Sequence, residues 1–206
     1  MSLNLKSIFK SKPEHDYSYH KTPAGKFWHF IAHDDSWLSF IADAIIILLL
    51  GKFVILPLIG IGLGTGFPLV AVVSGSMDHE GTFDDWWATH GSWYEQNGIA
   101  REEFMQFPHY KGFSKGDVFI VKGVELEEVK VGDVIVYKTG IRPDPIIHRV
   151  VFTEPNVLST KGDANEGQID FEIEIRRNQL QGIAVARIPY IGWVKVAFIE
   201  LINAAR

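Results

Sequence analysis

Three residue types able to attack a carbonyl or carry a proton stand at suggestive positions. Ser76 lies in Ser-Gly-Ser-Met (74–77), directly after the apolar, β-branched run "LVAVV" (69–73). A serine there, in a turn opened by Gly75, has no packing duty, and its hydroxyl becomes a nucleophile once a base takes its proton. His148 lies in "PIIHRVV" (145–151), where strand alternation puts it on one face with Ile146 and Val150. An imidazole partly buried among apolar neighbours is disfavoured in its charged form, which suits a base that must be neutral before it acts. Asp163 and Asp170, in "TKGDANEGQID" (160–170), add carboxylates. An aspartate that hydrogen-bonds the second imidazole nitrogen fixes the tautomer and stabilises the imidazolium that forms.

Each residue alone has an ordinary reading: a turn serine, a core histidine, a turn or surface aspartate. Joined, Ser76, His148 and one of the two aspartates supply the roles of an acyl-transfer triad, whose chain order is free. Metal chemistry is the rival. His79, His90 and His109, with Asp84, Asp85 and Glu102, share one segment. None of the close ligand spacings familiar from zinc sites appears among them, so neither a metal nor a cofactor is expected.

The elements that must hold these residues begin with a long apolar stretch. The chain has 206 residues, a net charge of -5 and a pI of about 5.9, which gives no basic surface for nucleic acid. It has no cysteine, which excludes disulfides, thiol catalysis and thiolate metal sites. The mean hydropathy of +0.07 is high for a soluble protein, and the excess is local, from Trp37 to Val73. A helix crossing a bilayer needs about 20 apolar residues, and a span near 38–61 meets that. Lys6, Lys10, Lys12, Lys21 and Lys26 precede it, the flank expected on the cytoplasmic side, which puts the rest of the chain outside. Lys52 falls mid-span and costs about 2.5–3.5 kcal/mol there on insertion scales unless it snorkels or finds a partner. The competing reading is a core helix of a soluble protein.

Beyond the span, glycines at 60, 62, 64 and 66 and then Pro68 end any helix. Residues 78–113 read as an insertion rich in Asp, Trp, His and Gly. It holds one helix started by Thr82 or Asp84 and stopped at Gly91, and a second over "AREEFMQF" (100–107). After Gly112 the texture is all-β, with short strands in 116–123, 132–140, 145–153, 156–163 and 182–188 punctuated by Gly, Asp and Pro. "KGD" at 115–117 and 161–163 and "VGD" at 131–133 read as strand-opening turns. The tail 189–206 is apolar on nearly all faces and short for a span; interfacial helix, second anchor and helix packed on the sheet all fit.

"SGSM" (74–77), "KGDVFIV" (115–121), "GDVIVY" (132–137), "IIHRVV" (146–151), "STKGDAN" (159–165) and "GIAVARIPYIGWV" (182–194) together resemble type I signal peptidases, in the archaeal and endoplasmic-reticulum branch that uses histidine where bacterial members use lysine. The resemblance covers most of 37–194. It implies a mainly β fold: a coiled antiparallel β-sheet catalytic domain with an N-terminal transmembrane helix and a partly helical insertion. The domains expected are a cytoplasmic tail (1–36), an anchor (37–66), an extracytoplasmic β catalytic domain (67–188) and an apolar C-terminal helix (189–206).

By the same resemblance Ser76 is the nucleophile, Ser74 and the Ser76 N–H hold the oxyanion, and His148 is the general base. Asp163 matches the aspartate of "KGD", and Asp170 the later aspartate that orients the base. Their spacing is one residue longer than in relatives; Asp170 is favoured. The implied activity is a membrane-bound serine endopeptidase that removes signal peptides from secretory precursors after small residues of Ala-X-Ala type. Its partners are those precursors, the lipid bilayer and accessory membrane subunits. The insertion is read as a lid or membrane-facing flap presenting Trp86, Trp87 and Trp93 to the bilayer interface. The opposing readings are a tethered, non-enzymatic β domain or inactive homologue, and a self-processing protease of the related repressor type, which the apolar span and His148-Arg149 oppose.

Overall fold

The computed structural model describes residues 22–33, 36–140 and 144–204, and the chain divides into two compact units, 1–54 and 55–206. Of the lysines expected as a cytoplasmic flank, Lys6, Lys10, Lys12 and Lys21 lie outside the described residues.

The first unit holds α1 (Pro23–His33) and α2 (Trp37–Leu50). Ser36 caps α2 by accepting from the Ser39 N–H. The Ser39 hydroxyl in turn donates to the Phe30 carbonyl at 2.6 Å. A π-helical turn, Gly51–Ile55, follows, and α3 (Leu56–Leu63) opens the second unit. Trp37–Leu63 is helical throughout, apolar, mostly exposed and long enough to cross a membrane. Pro57 accounts for the widened turn: it has no N–H to give a carbonyl one turn back, and a π turn absorbs the mismatch. Within that turn the Lys52 ammonium sits 5.3 Å from the centre of the Phe53 ring. Gly60 and Gly62 stay helical, and the helix ends at Gly64, whose φ of 67° closes a left-handed cap.

The second unit is built on one six-stranded antiparallel sheet. Its strands are β1 (Leu69–Ala71), β2 (Val118–Lys122), β3 (Val134–Tyr137), β4 (Ile146–Glu154), β5 (Val157–Lys161) and β6 (Leu180–Ile188), in the order β1-β2-β6-β3-β4-β5. Buried on both faces, β3 sends Val134 and Val136 into one core and Ile135 and Tyr137 into another. Antiparallel pairing sets Ile135 opposite His148 and Val134 opposite Arg149. The two neighbours on β4 therefore project to opposite faces.

The turns before β2 and β3 are built alike. Asp117 accepts from the Ser114 N–H and Asp133 from the Lys130 N–H, with Gly116 and Gly132 both at φ 94°. These two "GD" pairs open strands as expected. The third does not: it follows β5, and Asp163 is fully buried.

The insertion forms α4 (Phe83–Gln96) and α5 (Arg101–Phe104). Thr82 and Asp85 make a reciprocal capping box at the start of α4. Gly91 does not stop this helix, because its lack of a side chain serves packing: a Cβ there would lie 2.5 Å from the Trp87 ring. The end comes at Asn97 and Gly98, the latter at φ 82°. Trp86 and Trp87 are 2% and 8% exposed, and pack with Tyr94, Phe104 and Val151 into a core over the outer face of β4. Burial of these rings removes the reading in which they face a bilayer.

The last element, α6 (Trp193–Ala204), is seated by the Trp193 indole against Gly116 and by the buried Val196. Its two charges are tied down, Glu200 by Lys115 and Lys195 by Asp144. Val194, Phe198 and Leu201 remain exposed.

Candidate active site

Beyond β1 the chain stays extended through Val72, whose N–H and C=O bond Asp117 and Gly116, and then turns sharply, with Asp78 N–H donating to the Gly75 carbonyl. Ser76 sits in that turn and is held on both sides. Its carbonyl accepts from Ala164 N–H at 2.8 Å. The next side chain, Met77, is fully buried, and its sulfur accepts from the Asp163 N–H.

The Ser76 Oγ lies 2.8 Å from His148 Nε2 and 3.1 Å from the Ser74 Oγ. His148, 5% exposed on β4, has the nucleophile on one ring nitrogen and a carboxylate on the other. That carboxylate is Glu172, with Oε1 2.5 Å from Nδ1. The carboxylate approaches closely but off the line of the ring N–H, since Nδ1 makes no aligned hydrogen bond among the described residues. Glu172 is fully buried in a short 3₁₀ turn, Asp170–Glu172. Its two oxygens accept the backbone N–H groups of Gly162 and Ile169, each at 2.8 Å.

Neither aspartate expected at His148 is there. Asp170 opens the same 3₁₀ turn and is exposed. Asp163 is committed elsewhere. It takes Arg149 Nε and Nη2, the Tyr94 hydroxyl and His79 Nε2, all within 3.2 Å. Burial alone would raise the Asp163 pKa, but the Arg149 charge, with hydrogen bonds from His79 and Arg149, holds it well below the usual carboxylate range. Arg149, with no exposure, spends its remaining donors on the carbonyls of Pro108, His109 and Gly132. One ion pair thus fastens the insertion, β4 and the loop behind Ser76. Lys161 is buried beside them. Burial pushes its pKa down to about 8 against the pull of Asp163 and Glu172, and its ammonium faces the Trp93 and Tyr94 rings.

Sequence reasoning missed Glu172. In "QIDFEIE" (168–174) three acids alternate with apolar residues, and only the turn places one of them inward. The signal that could have found it is the spacing from Ile169 to Glu172, the reach of a carboxylate back to a turn's opening N–H. Tyr94 and His79 as partners of Asp163 were also missed. The histidines weighed as metal ligands do not converge: His79 bonds Asp163, His90 bonds Thr89, and the His109 ring packs on Phe119.

An open cleft of about 300 Å³ holds Ser74, Ser76 and His148 and is walled by Ala71, Val73, Ile146 and Ile169. A hydroxyl, an imidazole and a buried carboxylate in contact, beside a cleft with apolar walls, can perform nucleophilic acyl transfer.

No family model matches the chain. It is 34% identical over 100 residues to the signal peptidase complex catalytic subunit SEC11 of Colletotrichum graminicola, covering 43% of this chain and 57% of that one. The corresponding subunits of Sclerotinia sclerotiorum and Lodderomyces elongisporus are 35% and 32% identical over 99 residues, covering 43% of this chain and 57% and 58% of theirs. The chain therefore spans a little over half the length of the curated relatives it matches. Over the aligned part it is related in sequence to catalytic subunits of the signal peptidase complex.

Proposed function

We propose that the protein is a membrane-anchored serine endopeptidase that removes signal peptides from secretory precursors, with Ser76 as nucleophile, His148 as general base and Glu172 in the place of the third triad member. The observation that carries this reading is the pair of contacts on one buried ring: Ser76 Oγ at 2.8 Å from Nε2 and Glu172 Oε1 at 2.5 Å from Nδ1.

His148 takes the Ser76 proton on Nε2 as Oγ bonds the scissile carbonyl carbon. The Glu172 carboxylate beside Nδ1 stabilises the imidazolium that forms. The Ser74 hydroxyl and Ser76 N–H hold the oxyanion. The tetrahedral adduct then expels the amine, which leaves with the proton from Nε2. Water repeats the sequence on the ester and frees Ser76. The apolar cleft takes the small residues before the cut, and the helix Trp37–Leu63 keeps the site at the membrane surface where a translocated precursor emerges. The catalytic unit is extracytoplasmic, and accessory membrane subunits are its partners.

The test is incubation of wild type, Ser76→Ala and His148→Ala with a secretory precursor in detergent or liposomes, followed by N-terminal sequencing of the product. Cleavage after a small residue by wild type alone is expected. Either variant cutting at a rate near wild type would sink the assignment.

A further inference from the structure

The loop after β5 holds both ends of the triad. Gly162 donates its N–H to Glu172 Oε1 at 2.8 Å, and Ala164 donates its N–H to the Ser76 carbonyl at 2.8 Å. Between them the Asp163 N–H meets the Met77 sulfur. A Cβ at Gly162 would come within 2.9 Å of the Ser76 carbonyl oxygen, so the loop packs directly behind the nucleophile. A shift of residues 162–164 therefore moves the carboxylate beside His148 and the backbone of Ser76 together.

Lys161 holds this loop from the inside. It is fully buried, and its ammonium donates to the carbonyls of Gly162 at 3.1 Å and Asp163 at 3.4 Å. The Gly162 carbonyl also accepts the Asn165 N–H at 2.9 Å, which closes the turn. From α4 the rings of Trp93 and Tyr94 face the ammonium, with their centres 5.2 and 4.8 Å away. The charges around it are Asp163 of the loop, Glu172 of the 3₁₀ turn and Arg149 of β4. Arg149 spends its donors on Asp163 and three carbonyls. That leaves Lys161 to offset Glu172 while His148 is neutral. The reaction steps above give this buried ammonium no part.

We infer that Lys161 is a positioning residue for the reaction: its ammonium holds the turn 162–165 that sets Glu172 against His148 and fixes the backbone of Ser76. The inference rests on the peptidase reading above. A charged donor bonds a carbonyl about twice as strongly as a neutral one, so the turn loosens when the ammonium gives up its proton. Burial brings that loss down to about pH 8. The groups facing Lys161 keep their charge through that range. Arg149 stays protonated. Asp163, despite its burial, is held ionised by Arg149, and burial pushes the Tyr94 hydroxyl well above its ordinary value. An ordinary imidazole is already neutral there, so a serine–histidine mechanism by itself is flat above pH 8.

The experiment follows cleavage of one secretory precursor by the full chain in detergent micelles from pH 7 to 10, with wild type, Lys161→Arg and Lys161→Met. Wild-type kcat should fall by about three- to tenfold as pH rises through 8, the difference between a charged and a neutral donor, with KM little changed. Lys161→Arg keeps its charge across the range and should show no such fall. Lys161→Met should already run at the lower rate at pH 7 and stay level. A role confined to stability would move the melting temperature and leave the kcat profile as it is in wild type. A wild-type kcat that is level from pH 7 to 10 overturns the inference, and so does an alkaline fall that survives in either variant. Should Lys161→Met fail to fold, wild type against Lys161→Arg decides alone. In the overturning cases Ser76-dependent cleavage leaves the peptidase reading standing. Absence of any Ser76-dependent cleavage removes that reading and the role of Lys161 with it.

Discussion

Glu172 Oε1 stands 2.5 Å from His148 Nδ1, and the same oxygen accepts the Gly162 N–H. The carboxylate is thus fixed by the backbone before it meets the imidazole. Glu172→Gln should lower kcat by about 10²–10⁴-fold, the cost of losing the group that sets the tautomer and stabilises the imidazolium. Asp170→Asn should stay near wild type. Steady-state cleavage of one precursor by both variants separates the two acids; the reverse ranking would return the role to Asp170.

Ser74 Oγ lies 3.1 Å from Ser76 Oγ, close enough to reach an oxyanion formed at Ser76. Loss of one oxyanion donor costs about 10²–10³-fold in kcat. Ser74→Ala is expected to lose that much with little change in KM. A fall in KM-limited rate with kcat intact would instead make Ser74 a substrate-binding residue.

The Arg149–Asp163 pair is buried on both sides, and cutting one partner leaves the other charged and alone. Asp163→Asn should destabilise the catalytic unit by about 3–5 kcal/mol. The folded pKa of Asp163 is depressed below its unfolded value of about 3.9, so its stabilisation is complete above that pH and is lost as pH falls toward the folded value. Wild type should therefore lose thermal stability below about pH 4, and Asp163→Asn should show a flatter acid limb. Equal acid limbs in thermal melts followed by circular dichroism would contradict the pairing.

Lys161 has the opposite sign. Burial lowers its folded pKa to about 8, so between there and its unfolded value of about 10.4 the unfolded chain binds more protons and stability rises with pH. Lys161→Met should remove that rise. Melting temperatures of the two proteins are expected to differ in slope from pH 8 to 10, with Lys161→Met as stable as wild type or more so at pH 7. A steep loss at pH 7 would show that the ammonium's bonds to the Gly162 and Asp163 carbonyls outweigh its burial.

What the sequence disclosed follows from periodicity. Alternation in "PIIHRVV" put His148 beside Ile146 and Val150, and these flank it on the same face of β4. The Ser-Gly-Ser turn after an apolar strand put Ser76 where β1 delivers it. The unbroken apolar run gave the helix Trp37–Leu63. Long-range choices were not legible. The spacing from Ile169 to Glu172 hints at a turn-closing carboxylate, but which of Asp163, Asp170 and Glu172 meets His148 depends on how a 3₁₀ turn folds back on β5. Gly91 reads as a helix stop by composition alone; its neighbour Trp87 makes it a packing site. Trp86 and Trp87 looked like membrane anchors because sequence shows their number and not the β4 face waiting to be covered, while Trp93 is half-buried.

Adjacent placement of His148 and Arg149 makes the molecule intolerant of one kind of evolutionary change. Inserting or deleting a single residue between Pro145 and His148 would swap the two: guanidinium toward the hydroxyl at 76, imidazole toward Asp163. Both errors would arise in one step, an inert nucleophile and an unmatched interior charge. Length drift in this hairpin should therefore be confined to the stretch before Ile146, whatever else the chain comes to vary.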